Sequence, residues 1–132
     1  MGAEPWHYFV PYEPNVESAL EKLRHQEFAA GRFRGSELQP SSIEEACENM
    51  DADGTASILD IERVSDEADY GAVCPLPSSE VTRYFGTDKP TREIIEANMD
   101  FYKDIERGQG IYLVVYKDGK PSEIFFAGYS FD

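Results

Sequence analysis

Four side chains in this 132-residue chain can act as nucleophiles or proton carriers near neutral pH: Cys47, Cys74, His7 and His25. A thiol becomes a thiolate there only beside an imidazole, a cation or a helix N-terminus. No spacing in the chain pairs these groups. Cys47 falls on the apolar side of an expected helix with Ile43 and Met50, and Cys74 precedes Pro75 in an extended segment, so both read as free, core-facing thiols. Neither belongs to a CxxC pair or to a His cluster with zinc spacing. His25 sits among charged residues and is expected to be solvated. With 26 Asp and Glu, almost any fold brings two carboxylates together, so carboxylate pairs carry no specific acid–base signal. Gly108-Gln109-Gly110 leaves a helix and enters a strand, the reverse of the order that cradles phosphate.

Residues 49–60 come nearest to a binding motif. They resemble an EF-hand calcium loop, with oxygen ligands at positions 1, 3 and 5 (Asn49, Asp51, Asp53), Gly54 at position 6 and a carboxylate, Asp60, at position 12. Three features depart from the pattern. Position 1 is Asn, position 8 is Ala56 where a branched apolar residue belongs, and residues 57–64 read as a strand where an exiting helix is required. An Asp-rich turn is the expected structure, and no metal or other cofactor is assigned.

Charge is the dominant compositional fact: 26 acids against 12 Lys and Arg give a net charge of −14. Its distribution is uneven, because Glu44, Glu45, Glu48, Asp51, Asp53, Asp60, Glu62, Asp66, Glu67 and Asp69 lie in one stretch with a single base, Arg63. Such a field repels nucleic acid and anionic lipid and attracts cations and basic proteins. Gly31-Arg32-Phe33-Arg34-Gly35 is an arginine–glycine segment too short to offset it, and a loop anchored by Phe33 is the expected role.

The elements that must position these residues follow from periodicity and punctuation. Trp6, Tyr8 and Val10 alternate with His7 and Phe9 in a short strand ending at Pro11. Asn15 caps a helix over 16–30, with Val16, Ala19, Leu20, Leu23 and Phe28 at helical spacing and Gly31 closing it. Residues 32–40 form a loop. Ser41 or Ser42, each with a Glu three residues on, caps a second helix ending near Met50. Ile58, Leu59, Ile61 and Val64 mark a β-branched strand over 57–64, expected to be central. After a loop over 66–71 and an extended stretch over 72–77, Ser78 or Ser79 caps a brief helix through Phe85. A longer helix then runs from Pro90 towards Gly108, with Ile94, Ile95, Met99, Tyr102 and Ile105 on one side. Residues 111–117 and 120–129 flank Asp118-Gly119 as a β-hairpin with a type I′ turn, in a register that sets Leu113 opposite Ile124 and Tyr112 opposite Phe125.

This order predicts an α+β fold spanning 1–132 as a single domain: a small, mainly antiparallel four-stranded sheet with helices packed on it and a C-terminal hairpin. No apolar run approaches the roughly 20 residues of a membrane-spanning helix, and residues 1–10 have no basic, apolar leader pattern, so the cytoplasm is the expected location.

At Trp6-His7-Tyr8-Phe9-Val10-Pro11-Tyr12, at Gly54-Thr55-Ala56-Ser57-Ile58-Leu59-Asp60-Ile61 and at Phe85-Gly86-Thr87 the chain resembles a loose group of small, uncharacterised bacterial proteins. The resemblance implies a bacterial, single-domain protein and carries no activity, cofactor or site.

Two functional expectations follow. Charge concentration without a catalytic motif points to a non-enzymatic, immunity-like or inhibitor domain whose acids Glu48, Asp51, Asp53, Asp60, Glu62, Asp66 and Asp69 dock a basic protein. The alternative is a ligand-binding domain or small enzyme, with a pocket between the aromatic sheet and the helices lined by His7, Tyr12, Cys74, Tyr112 and Phe125.

Overall fold

The structure, a computed structural model, describes residues 3–132, so the first two residues of the expected 1–132 domain lie outside it. Its strands are β1 (Pro5–Pro11), β2 (Arg63–Val64), β3 (Ala72–Pro75), β4 (Gln109–Lys117) and β5 (Lys120–Tyr129). They form one sheet of five strands in the order β1-β5-β4-β3-β2. The α+β class and the C-terminal hairpin are as expected; the sheet departs from the expectation in having five strands in place of four and in being partly parallel. β1, β5 and β4 run antiparallel, whereas β4, β3 and β2 run parallel. β3 and β4 run parallel because the chain between them crosses over through helices, whereas β2 and β3 are joined by residues 65–71 without a helix and share only two residue pairs.

The strand expected over 57–64 exists only at its end. Ile58–Asp60 is a 3-10 turn, and only Arg63 and Val64 join the sheet, at its edge and not its centre. Ile58, Leu59 and Ile61 are fully buried all the same. Their apolar, β-branched signal reports burial, and burial is available without pairing.

Helices cover both faces of the sheet. On one, Trp6 and Val10 of β1 with Ile124 and Phe126 of β5 pack against Ala19, Leu20 and Leu23 of α1 (Val16–Ala30), with α2 (Ile43–Met50) alongside. On the other, Leu113, Val115, Phe125 and Ala127 meet Val81 and Phe85 of α3 (Ser78–Phe85), Ile95 of α4 (Arg92–Glu96) and Phe101. The hairpin register decides which residues reach which layer. A bulge between Val115 and Tyr116 shifts the pairing by one, so Leu113 faces Phe125 and Tyr112 faces Phe126. The expected Leu113–Ile124 and Tyr112–Phe125 pairs do not form, because a one-residue slip moves every side chain to the opposite face.

The helix starts and stops are where local chemistry sets them. The Asn15 side chain accepts from the Ser18 N–H, Ser42 accepts from the Glu45 N–H, and the Gly31 N–H closes α1 onto Glu27 and Phe28. Ser41 is not the cap; its hydroxyl bonds Glu45 at 2.8 Å. α3 begins after Pro77 with no side-chain cap. The long helix expected after Pro90 is broken into α4 and a 3-10 turn, Met99–Asp104, which seats Phe101 in the core.

Candidate functional site

A buried carboxylate organises the acidic segment. Asp60 is 6% exposed. Its Oδ1 accepts from the Thr55 N–H at 2.7 Å and the Thr55 hydroxyl at 2.9 Å, and its Oδ2 accepts from the Ser130 hydroxyl at 2.6 Å. Ser57 hydrogen-bonds Thr55 at 2.8 Å and accepts from the Leu59 N–H, while Ser130 Oγ accepts from the Ala56 N–H at 3.1 Å. Every oxygen of the cluster has a partner, as a buried polar group requires. Gly54 makes the approach possible: a Cβ there would stand 2.3 Å from Ser130 Oγ and 2.8 Å from Asp60 Oδ2.

Arg34 fastens the same region from outside. Its guanidinium donates to the carbonyls of Asp53 (2.8 Å), Gly54 (3.1 Å) and Asp132 (3.1 Å), and the Asp132 N–H returns to the Asp53 carbonyl. The loop after α2 is thereby tied to the end of the described chain. Phe33 stacks on Phe28 with centroids 5.8 Å apart, which is the anchoring role expected of it. Arg32 closes the turn with a bidentate bond to Glu27, whose carboxylate is buried.

Of the seven acids expected to meet a partner, Glu48, Asp51, Asp53, Glu62, Asp66 and Asp69 are exposed. Asp60 is not available: its carboxylate is interior and committed to Thr55 and Ser130. Asp69 is ion-paired with Arg63. Among the described residues no Lys, Arg or His nitrogen lies within ion-pair distance of Glu44, Glu48, Asp51, Asp53, Glu62 or Asp66.

Two clefts connect these acids, sharing Cys47 and Glu62 in their walls. The larger, about 690 Å³, lies between α1 and α2, with Glu21, Glu44, Glu48 and Glu62 at its rim and Phe28, Ile43 and Arg24 among its lining. The smaller, about 190 Å³, is lined by Asp51, Gly54, Asp60, Glu62, Tyr70, Gly71 and Phe131. Cys47 donates to the Leu59 carbonyl at 3.2 Å, and burial pushes its thiol above the ordinary range. Arg24 bonds the same carbonyl at 3.3 Å, and its Nε is buried without a partner.

The five residues expected to line a pocket under the sheet do not meet at one site: His7, Phe125 and Cys74 share one face, Tyr112 lies on the other and Tyr12 beyond the strand. Phe125 is fully buried in the α3–α4 layer and touches His7 at 5.9 Å between ring centroids. Tyr112 packs on Phe126 in the α1 layer, on the opposite face. Cys74 is half-buried beside Ile111 on β3, with its thiol pushed up by burial, and Tyr12 lies beyond β1, 39% exposed. Both cysteines are free thiols. The calcium-loop geometry is absent, since Asp51 and Asp53 stand on a 3-10 turn and Asp60 points inward; among the described residues no three His, Cys, Asp or Glu side chains converge as metal ligands.

Sequence reasoning missed Thr55, Ser130, Arg34 and Tyr70. The Gly-Thr-x-Ser string before Asp60 was a usable signal for the first; nothing local marks Ser130, 70 residues from its partner. No helix among the described residues is long and apolar enough to cross a membrane. The chain matches no family model, no curated protein and no solved structure.

Proposed function

We propose that the protein is a non-catalytic interaction domain whose acidic face, carried by α2, the 51–53 turn and the β2 edge, docks a basic protein. The observation that supports this reading is the set of exposed carboxylates, Glu44, Glu48, Asp51 and Glu62, that line two adjoining clefts with no Lys, Arg or His nitrogen of the described residues within ion-pair distance of them, with Asp53 and Asp66 beside them. Unpaired carboxylates on a rigid frame act at long range, raising the encounter rate with a positive partner and repelling anionic ones. Arg34 and the Asp60 cluster hold the loop in place before binding, which lowers the ordering cost of association.

The test is a pull-down from native lysate at low and high salt, using the parent protein and an Asp51→Lys, Asp53→Lys, Glu62→Lys, Asp66→Lys variant. A basic protein retained at low salt, released at high salt and lost from the variant is the expected result. Retention that survives the charge reversal sinks the reading.

A second reading rests on the larger cleft, where the unpartnered Arg24 Nε and the half-buried Cys47 lie with Phe28 and Ile43. A small ligand bound there, accepting a hydrogen bond from Arg24, would raise the melting temperature by mass action. A metabolite screen by thermal shift, repeated on Arg24→Gln, separates this from protein docking.

A further inference from the structure

Within the docking reading, and resting on it, we infer that the smaller cleft is the anchor point and that it takes one arginine side chain of the partner. Three independent features converge there. Tyr70, 60% exposed, stacks on Phe131 with centroids 6.4 Å apart and planes 25° apart, giving an aromatic wall open to solvent. Exposed large aromatics of this kind are the residues that anchor interfaces. Asp51 and Glu62 line the same cleft, exposed and without a cation.

The third feature is Asp60. A buried charge is normally paired or bound to a metal, yet this carboxylate, 94% removed from solvent, has hydroxyl and N–H donors and no cation within ion-pair distance. It lines the cleft, so a carboxylate held by neutral donors alone lies behind the aromatic wall and adds to the negative field of Asp51 and Glu62. The cations nearby are engaged elsewhere: Arg63 with Asp69 and the Tyr70 carbonyl, Arg34 with three backbone carbonyls, Arg107 with Asp132.

Size and shape select the occupant. At about 190 Å³ the cleft is below the roughly 300 Å³ at which drug-sized pockets begin, and it suits a single side chain. A guanidinium is planar, so it lies on an aromatic face while its edge pairs with a carboxylate; an ammonium does only one of these well. The Tyr70 backbone is already fixed, its N–H on Asp69 Oδ1 at 2.9 Å and the Gly71 N–H on the Gly108 carbonyl at 2.8 Å.

The experiment is an NMR titration of the full chain with acetyl-Gly-Arg-Gly-amide and its lysine and citrulline counterparts. Shifts at the amides of Gly54, Tyr70, Gly71 and Phe131 are expected for the arginine peptide, smaller ones for lysine and none for citrulline. Tyr70→Ala should weaken the arginine peptide about five-fold, equivalent to the ~1 kcal/mol of a cation–π contact, and Tyr70→Phe should restore it. Equal binding of citrulline or lysine, shifts scattered over acids remote from the cleft, or no shift at millimolar peptide overturns the assignment. Failure of the docking reading has a different signature, since the salt-released pull-down and its charge-reversed variant do not depend on Tyr70.

Discussion

Ser130 has one hydroxyl proton and gives it to Asp60 at 2.6 Å, while its oxygen takes the Ala56 N–H. A hydrogen bond to a carboxylate contributes about 1.5–3 kcal/mol, more than a neutral one, and its loss inside the protein leaves a charge with one donor fewer. Ser130→Ala should therefore lower stability by about 2 kcal/mol, seen as a fall in the urea midpoint at unchanged slope. Unchanged stability would mean that solvent reaches Asp60. At this scale the sequence was legible for residue type and not for role. Asp60 stood at the right place for a calcium ligand, but its direction was decided by a serine far along the chain, a contact no local pattern encodes.

Among the elements, the loop between α2 and the 3-10 turn at Ile58–Asp60 depends on Gly54, at φ +75° and ψ 170°, a region open in practice only to glycine. Gly86, which ends α3 at φ +76° and ψ 4°, has nothing within 4 Å of a would-be Cβ. Gly86→Ala should cost about 1 kcal/mol of left-handed backbone strain; Gly54→Ala should cost more than about 3 kcal/mol, because it adds a clash with Ser130 and Asp60. Thermal unfolding of both variants measures the difference, and similar costs would rule out the close approach. Helices α1 and α2 were legible because Asn15, Gly31 and Ser42 act locally. The strand expected over 57–64 is for the most part a turn, because Ile58, Leu59 and Ile61 owe their apolar character to burial in the core and not to pairing. The hairpin lies where its Asp118-Gly119 turn puts it, but its register is shifted because Ser122 is the extra residue of the bulge, next to Pro121, whose missing N–H is the local signal for it.

Across the whole molecule, a net charge of −14 on 132 residues makes the folded state repel itself. Raising salt from about 0.01 M to about 0.15 M shortens the Debye length from roughly 30 Å to 8 Å, so the melting temperature should rise. The rise should shrink in the Asp51, Asp53, Glu62 and Asp66 to Lys variant, which removes the densest acids; an equal rise in both proteins would assign the effect to the remaining surface. The class of the fold was legible from the alternation of helical and strand-like periods. The parallel half of the sheet was not, because it depends on which distant segments meet. The two outermost strands have one more consequence. β1 is bounded by Pro5 and Pro11, which have no N–H to donate, and its Trp6 carbonyl already receives the Tyr102 hydroxyl at 2.7 Å; β2 at the other margin is two residues long. These margins disfavour the recruitment of a neighbouring copy by strand-to-strand pairing, the first step of fibril growth.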